Sequence, residues 1–137
     1  MTKTDKLKIC DWTLAGLLPV VLASSIQLEA TDGGGTGWMI VHVIVASAFM
    51  CTILWHIYLH FQWKKWLVKF AKQKIATRIL WWLYVLTLLS GIAAFIHRLI
   101  EINHGPLGGI HGKIGFLMIA FAIGHTLKRI KFFKRKR

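Results

Sequence analysis

Residues 37–60 read GWMIVHVIVASAFMCTILWHIYLH, an uninterrupted run with no acid, lysine, arginine or proline. A helix needs about 20 apolar residues to cross a bilayer core of about 30 Å, so this run predicts a transmembrane helix. Comparable runs at residues 12–29, 79–98 and 107–127 predict three more. The predicted fold class is an all-α integral membrane protein, with residues 1–137 forming one four-helix transmembrane bundle.

The composition agrees with a membrane location. Hydrophobic residues make up 55% of the 137 residues and charged residues 17%, and a soluble chain this short could not cover so much apolar surface. The two cysteines do not form a metal-binding or disulfide pattern. Cys10 precedes the first apolar run and Cys51 lies within the second, which predicts different depths in the membrane.

The net charge of +13 would by itself suggest a nucleic-acid partner, but its distribution favours another explanation. All lysines and arginines except Arg98 and Lys113 lie at the N-terminus, between the second and third runs, or in the tail. Basic segments stay on the cytoplasmic side, so both termini are predicted to be cytoplasmic and the glycine-rich segments 31–37 and 103–109 external. We expect the bacterial inner membrane, attraction to anionic lipid and no nucleic-acid partner.

The connector at residues 61–74 places large apolar residues at helical spacing between lysines. This pattern predicts either a helix lying at the membrane interface or a cytoplasmic extension of the second span. The apolar positions are Trp63, Trp66, Leu67 and Phe70.

Four of the seven histidines form a repeated pattern. His42 and His56 lie on the second span, and His111 and His125 lie on the fourth with the same spacing. At 3.6 residues per turn, this spacing is about four turns, so both members of a pair share one helix face and are about 21 Å apart. Ionisable residues within membrane spans are costly and point to function.

Depth pairs the histidines across the two spans. The second and fourth spans are predicted to run in the same direction, with His42 and His111 near their outer ends and His56 and His125 near their inner ends. Each pair could supply the two axial imidazoles of a haem iron. Zinc and copper ligands cluster around one ion, whereas these pairs are far apart, and the acids Glu29, Asp32 and Glu101 lie at the outer span edges.

Other residues are candidates for contact with a haem. Small residues near the histidines permit close approach of a flat ring, although they also suit helix packing; they are Ala46, Gly115 and Gly124. Arg98 and Lys113 are the outer cations that could bind haem propionates.

Two further groups of polar residues stay open to interpretation. His60 shares a face with His42 and is a rival to His56 as the inner ligand, but it lies deeper toward the cytoplasm; otherwise it could line a quinone site or anchor at the interface. An outer cluster near the last loop could form an access site for quinone or superoxide, or an ordinary solvated loop. Its members, the candidate catalytic residues, are His97, Arg98, Glu101 and His104.

The paired histidines, with residues 56–66 (HIYLHFQWKKW) and 124–133 (GHTLKRIKFF), resemble the di-haem membrane cytochromes b. The string at 56–66 is similar to the short four-helix cytochromes b associated with flavinylated extracellular electron transfer. The resemblance implies two haems b, with axial ligands His42, His56, His111 and His125. It also implies electron transfer between a quinone pool and an external, flavinylated redox partner.

Two other functions stay open. Superoxide oxidases, which pass electrons from superoxide to quinone, have a similar shape and would make this chain an enzyme. A haem-free membrane anchor or metal transporter is the third hypothesis. The sequence carries no flavin, nucleotide or iron–sulfur motif, so its electrons must be exchanged with a quinone, a small molecule or another protein.

Overall fold

A computed structural model describes the backbone of residues 2–31, 35–100 and 106–134, with the side chains of these residues except 63, 64 and 129–134. Almost all of the described residues are helical, and none is in a strand. Its helices are α1 (Lys3–Ala30), α2 (Thr36–Phe61), α3 (Trp63–Lys69), a 3-10 turn (Phe70–Lys72), α4 (Ile75–Ile100) and α5 (Pro106–Lys134). The predicted all-α class with four long apolar helices is confirmed.

The four long helices are long and apolar enough to cross a membrane, and they keep most of their apolar surface exposed. Only 11–17% of the most apolar window of each helix is buried within the protein. Ile44, Trp82 and Leu89 are each more than half exposed. Water would penalise such a surface, whereas lipid tails would not, so the chain has the surface of a multi-pass membrane protein.

Helix α1 begins well before the predicted span at residues 12–29. Its start is a capping box, in which the Thr2 backbone N–H donates to Asp5 Oδ2 at 2.9 Å and the Asp5 N–H donates to Thr2 Oγ1 at 3.3 Å. These bonds satisfy backbone donors that a helix start leaves open. The extra turns matter because they bring Cys10 and Asp11 into the helix.

The chain divides into two units, which we call the first hairpin (residues 1–72) and the second hairpin (residues 73–137). In the first hairpin α1 packs against α2, and in the second α4 packs against α5. The packing of α1 on α2 is antiparallel, because Asp11 meets His56 whereas Ser24 meets His42.

Helix α2 does not extend into the connector. Gln62 adopts a φ of 57°, which is costly for a residue with a side chain, and it ends α2 before α3 begins. The extension interpretation is therefore wrong, and a separate helix is present. Trp66 is 2% exposed, with its ring centroid 4.8 Å from that of Phe61 and 5.7 Å from that of Phe70. Trp66 is thus a core residue of the first hairpin.

The prediction that the cysteines lie at different depths is wrong. The Sγ atom of buried Cys10 lies 3.7 Å from the backbone oxygen of Thr52, the residue after Cys51. The early start of α1 accounts for the difference, because it carries Cys10 alongside the middle of α2. Cys51 is exposed and both thiols are free.

Candidate functional site

His42 is held by a serine of the preceding helix. Its Nδ1 atom lies 3.0 Å from Ser24 Oγ, and that hydroxyl donates its own proton to the backbone oxygen of Val21 at 2.8 Å. Because a serine hydroxyl has one proton, the two contacts form together when His42 donates from Nδ1 and Ser24 accepts. Ser24 is 5% exposed, so the His42 ring contacts a buried hydroxyl of the first hairpin.

His111 is held in the same way in the second hairpin. Its Nδ1 atom lies 3.1 Å from Ser90 Oγ, which donates to the backbone oxygen of Thr87 at 3.2 Å. Gly91 makes room for the ring, because a Cβ atom there would lie 3.0 Å from His111 Cε1. Ser90 and Gly91 therefore position His111 jointly, because Ser90 offers a hydroxyl to Nδ1 and Gly91 lacks a side chain.

His56 contacts a carboxylate. Its Nδ1 atom lies 2.8 Å from Asp11 Oδ1, and the two side chains are 24% and 18% exposed. The Asp11 carboxylate accepts the Nδ1 proton in a charge-assisted hydrogen bond, stronger than one between neutral groups. The fourth histidine, His125, is half-buried on α5, about four turns beyond His111.

A hydrogen bond at Nδ1 is common to His42, His56 and His111. A neutral imidazole has one proton, and donation from Nδ1 leaves the lone pair on Nε2. A metal-binding histidine usually donates its other ring N–H to a carboxylate or carbonyl, which fixes the ring and raises its basicity. In the tautomer protonated at Nδ1, Nε2 would be the ring atom of these histidines able to bind a metal.

The two hairpins repeat this arrangement although their sequences do not. In each, the first helix supplies a serine and the second helix begins the histidine pair. Thr77 precedes Ser90 by the same interval along the chain as Asp11 precedes Ser24. Where the first hairpin has the carboxylate of Asp11, the second hairpin therefore has the neutral hydroxyl of Thr77.

His60 lies beside His56 and Asp11. The ring centroids of His56 and His60 are 4.5 Å apart, and ligand atoms of Asp11, His56 and His60 all lie within 4.8 Å of one another. Among the described residues this is the one group of three with metal-binding geometry. His60 therefore belongs to the same cluster as its rival, but the contact with Asp11 is made by His56.

The small residues predicted near the histidines leave space. A Cβ atom placed on Gly115 or Gly124 would meet no atom within 4 Å, so neither glycine is required for helix packing in the described part of the chain. Gly115 is half-buried, one turn after His111, and Ala46 is half-buried, one turn after His42. The described residues therefore leave open space beside Gly115, one turn from His111.

The outer polar cluster is described only in part. His97 and Arg98 are half-buried in the last turn of α4, whereas Glu101 and His104 lie outside the described residues. Lys113 is exposed on α5. The two predicted propionate partners, Arg98 and Lys113, thus belong to the same hairpin as His111.

Sequence reasoning missed the residues that orient the histidines. Ser24, Ser90 and Gly91 were not singled out, although small and polar residues within apolar runs were a usable signal. Asp11 was missed because the first span was predicted to begin after it. Its carboxylate weakens the argument that acids lie only at the outer edges of the spans.

Comparisons of the chain with known protein families, curated proteins and solved structures found no match.

Proposed function

We propose that this protein is a di-haem b-type membrane cytochrome of the small four-helix kind, which transfers electrons across the membrane. One observation carries the proposal: in both hairpins, Nδ1 of the first histidine of the pair lies within hydrogen-bond distance of a serine hydroxyl of the preceding helix, at 3.0 Å for His42 and 3.1 Å for His111. In the tautomer that donates from Nδ1, Nε2 is the ligand atom. A single buried histidine is often explained by one hydrogen bond. The same contact between serine and histidine in both hairpins supports a common function for the two histidines.

The axial ligands in this proposal are His42, His56, His111 and His125, paired as their depths predict: His42 with His111, and His56 with His125. A bound haem b supplies a one-electron carrier. Ser24, Ser90 and Asp11 hold the ligand rings, and the apolar helices keep the ligand atoms away from water.

The electron partners in this proposal are a quinone pool and an external redox protein, with the termini in the cytoplasm of a bacterial cell. Support for this part comes from the resemblance and the distribution of basic residues. The half-buried positions of His97 and Arg98 are compatible with a quinone or redox-partner site near the predicted outer end of α4.

Haem stoichiometry tests the proposal directly. A pyridine haemochrome assay on the detergent-purified protein should give two haems b per chain. Each single variant His42→Ala, His56→Ala, His111→Ala and His125→Ala should lower the content to about one, because bis-histidine ligation needs both imidazoles. The matched control is His60→Ala, which removes a histidine one turn from His56. Absence of haem from the wild type, or two haems in all four variants, would refute the proposal.

The group formed by Asp11, His56 and His60 favours a second candidate, a haem-free protein that binds a divalent transition metal. Two ligands of one zinc ion, each at about 2.1 Å, lie at most about 4.2 Å apart. The ligand atoms of this group lie within 4.8 Å of one another, which is close to this separation. The group formed by Asp11, His56 and His60 supports metal binding less strongly than the repeated serine contacts support the cytochrome, because the group occurs in one hairpin only.

Calorimetric titration with Zn²⁺ separates the two candidates. A metal site requires His60, so His60→Ala should abolish zinc binding while leaving the haem content unchanged. If the purified wild type binds one Zn²⁺ through Asp11, His56 and His60 and no haem, the second candidate replaces the first.

A further inference from the structure

The two ends of the first hairpin offer different acceptors to their histidines. At one end, the neutral hydroxyl of Ser24 accepts from His42 at 3.0 Å. At the other, the carboxylate of Asp11 accepts from His56 at 2.8 Å. The geometry of the two contacts is alike, and the difference between them is one negative charge.

The structure holds Asp11 firmly in this position. The preceding residue, Cys10, is fully buried and contacts the backbone oxygen of Thr52 on α2, which fixes the adjacent turn of α1 against α2. Among the side chains that the structure describes, no lysine or arginine forms an ion pair with Asp11, which pairs with His56. The negative charge of Asp11 therefore lies next to the imidazole of His56.

A charged acceptor changes the ligand that it holds. A carboxylate that accepts the Nδ1 proton makes the imidazole more basic and a stronger electron donor through Nε2. Negative charge near an iron site also stabilises the oxidised, more positive state relative to the reduced state. Hydrogen bonding to the axial ligand and local charge are among the means by which proteins set haem potentials. Both effects lower the potential, and a serine exerts neither to the same extent.

We propose that Asp11 is a positioning residue that lowers the reduction potential of the haem held by His56 below that of the haem held by His42. The inference rests on the proposed function, because it requires haem at these histidines. With this order of potentials, a haem held at the Asp11 end would give its electron to a haem held at the Ser24 end. Since the Asp11 end is the one predicted to face the cytoplasm, that direction would be outward.

The test is an optical redox titration of the purified two-haem protein and of Asp11→Asn, which keeps an acceptor oxygen and removes the charge. We expect one of the two midpoint potentials to rise so that the ratio of reduced to oxidised haem at a fixed potential changes at least tenfold, about 59 mV for a one-electron couple. The other midpoint should stay where it is. Asp5→Asn is the matched control, since it removes the same charge from exposed Asp5 of the same helix and should move neither midpoint.

Two further variants exchange the acceptors of His56 and His42. They keep the inference testable if Asp11→Asn binds less haem. Asp11→Ser gives His56 the acceptor that His42 has, so one midpoint should rise as in Asp11→Asn. Ser24→Asp gives His42 a carboxylate, so the other midpoint should fall. Electron paramagnetic resonance of the oxidised protein should show altered g values for one haem only in each variant.

The outcomes separate this inference from the proposed function. If the wild type contains no haem, the proposed function fails. If two haems bind but neither Asp11→Asn nor Asp11→Ser raises a midpoint, or both midpoints move together, the role of Asp11 is refuted and the haem assignment stands.

Discussion

The Nδ1 atom of His56 lies 2.8 Å from the Oδ1 atom of Asp11, a residue of the neighbouring helix that is distant in the sequence. Together with the contact between Ser24 and His42, it ties α1 to α2 at two levels. A hydrogen bond to a charged group contributes about 1.5–3 kcal/mol, so this pair also favours one register of α1 along α2.

The serine acceptors should matter for haem retention. In Ser24→Ala or Ser90→Ala the imidazole loses the acceptor that fixes its tautomer and orientation. Loss of such a supporting group typically weakens metal binding about 10–100-fold. Haem dissociation measured by transfer to apomyoglobin should therefore be faster in both variants than in the wild type.

Ser25→Ala is the control for the serine variants, because Ser25 Oγ bonds to the backbone oxygen of Val21 and not to a histidine. It should release haem at the wild-type rate. Equal rates for Ser24→Ala and Ser25→Ala would show that the contact with His42 has no part in haem binding.

Gly91 should not tolerate a side chain. In Gly91→Ala the new Cβ atom would lie 3.0 Å from Cε1 of His111, so the ring must shift, and the shift disturbs its contact with Ser90. Overpacking of this kind typically costs about 1–3 kcal/mol, and the displaced ring should bind haem less tightly. Thermal unfolding in detergent and haem content measure the two effects. Gly16→Ala is the control, because a Cβ atom there meets nothing within 4 Å and alanine favours a helix; a Gly91→Ala protein as stable as Gly16→Ala would contradict the prediction.

A substitution at Gly115 tests whether the open space beside this residue is needed for folding or for haem binding. A Cβ atom at Gly115 meets no protein atom within 4 Å, so Gly115→Leu should leave the helix content and thermal stability of the haem-free protein unchanged. In the proposed cytochrome the leucine would occupy space beside the ligand His111, and the haem content should fall from two to about one. Gly16→Leu, made in parallel, should retain both haems. Full haem content in Gly115→Leu would show that haem does not occupy the space beside Gly115.

Trp66 should stabilise the first hairpin. Trp66→Ala removes a side chain that is 2% exposed and packed between Phe61 and Phe70, and a truncation of this size typically costs about 3–5 kcal/mol. The loss should appear as a lower unfolding temperature in detergent. Leu67→Ala changes the next residue of the same helix, which is 71% exposed, and should have little effect. Similar results for the two variants would mean that Trp66 acts only as a membrane anchor.

Much of the candidate site could be predicted from local pattern. Equal spacing placed His42, His56, His111 and His125 on two helices, and the structure contains both helices. The preference for His56 over His60 as the inner ligand rests on depth and stays a prediction; only the structure shows that both rings lie beside Asp11. Gly115 was noted for its size, but only the structure shows that the space beside it is open.

The sequence by itself determined that this protein is all-α, with four long apolar helices and histidine pairs on the second and fourth. Helix length and apolarity are local properties, and a spacing of about four turns fixes a shared helix face without reference to other elements. The tertiary structure alone decided that Asp11, Ser24, Ser90 and Gly91 meet the imidazoles. These helices are apolar around their whole circumference, so no polar stripe marks the inward face. Which residues meet across a hairpin depends on the register of two packed helices, and that register is set by side-chain packing and polar contacts between residues far apart in sequence.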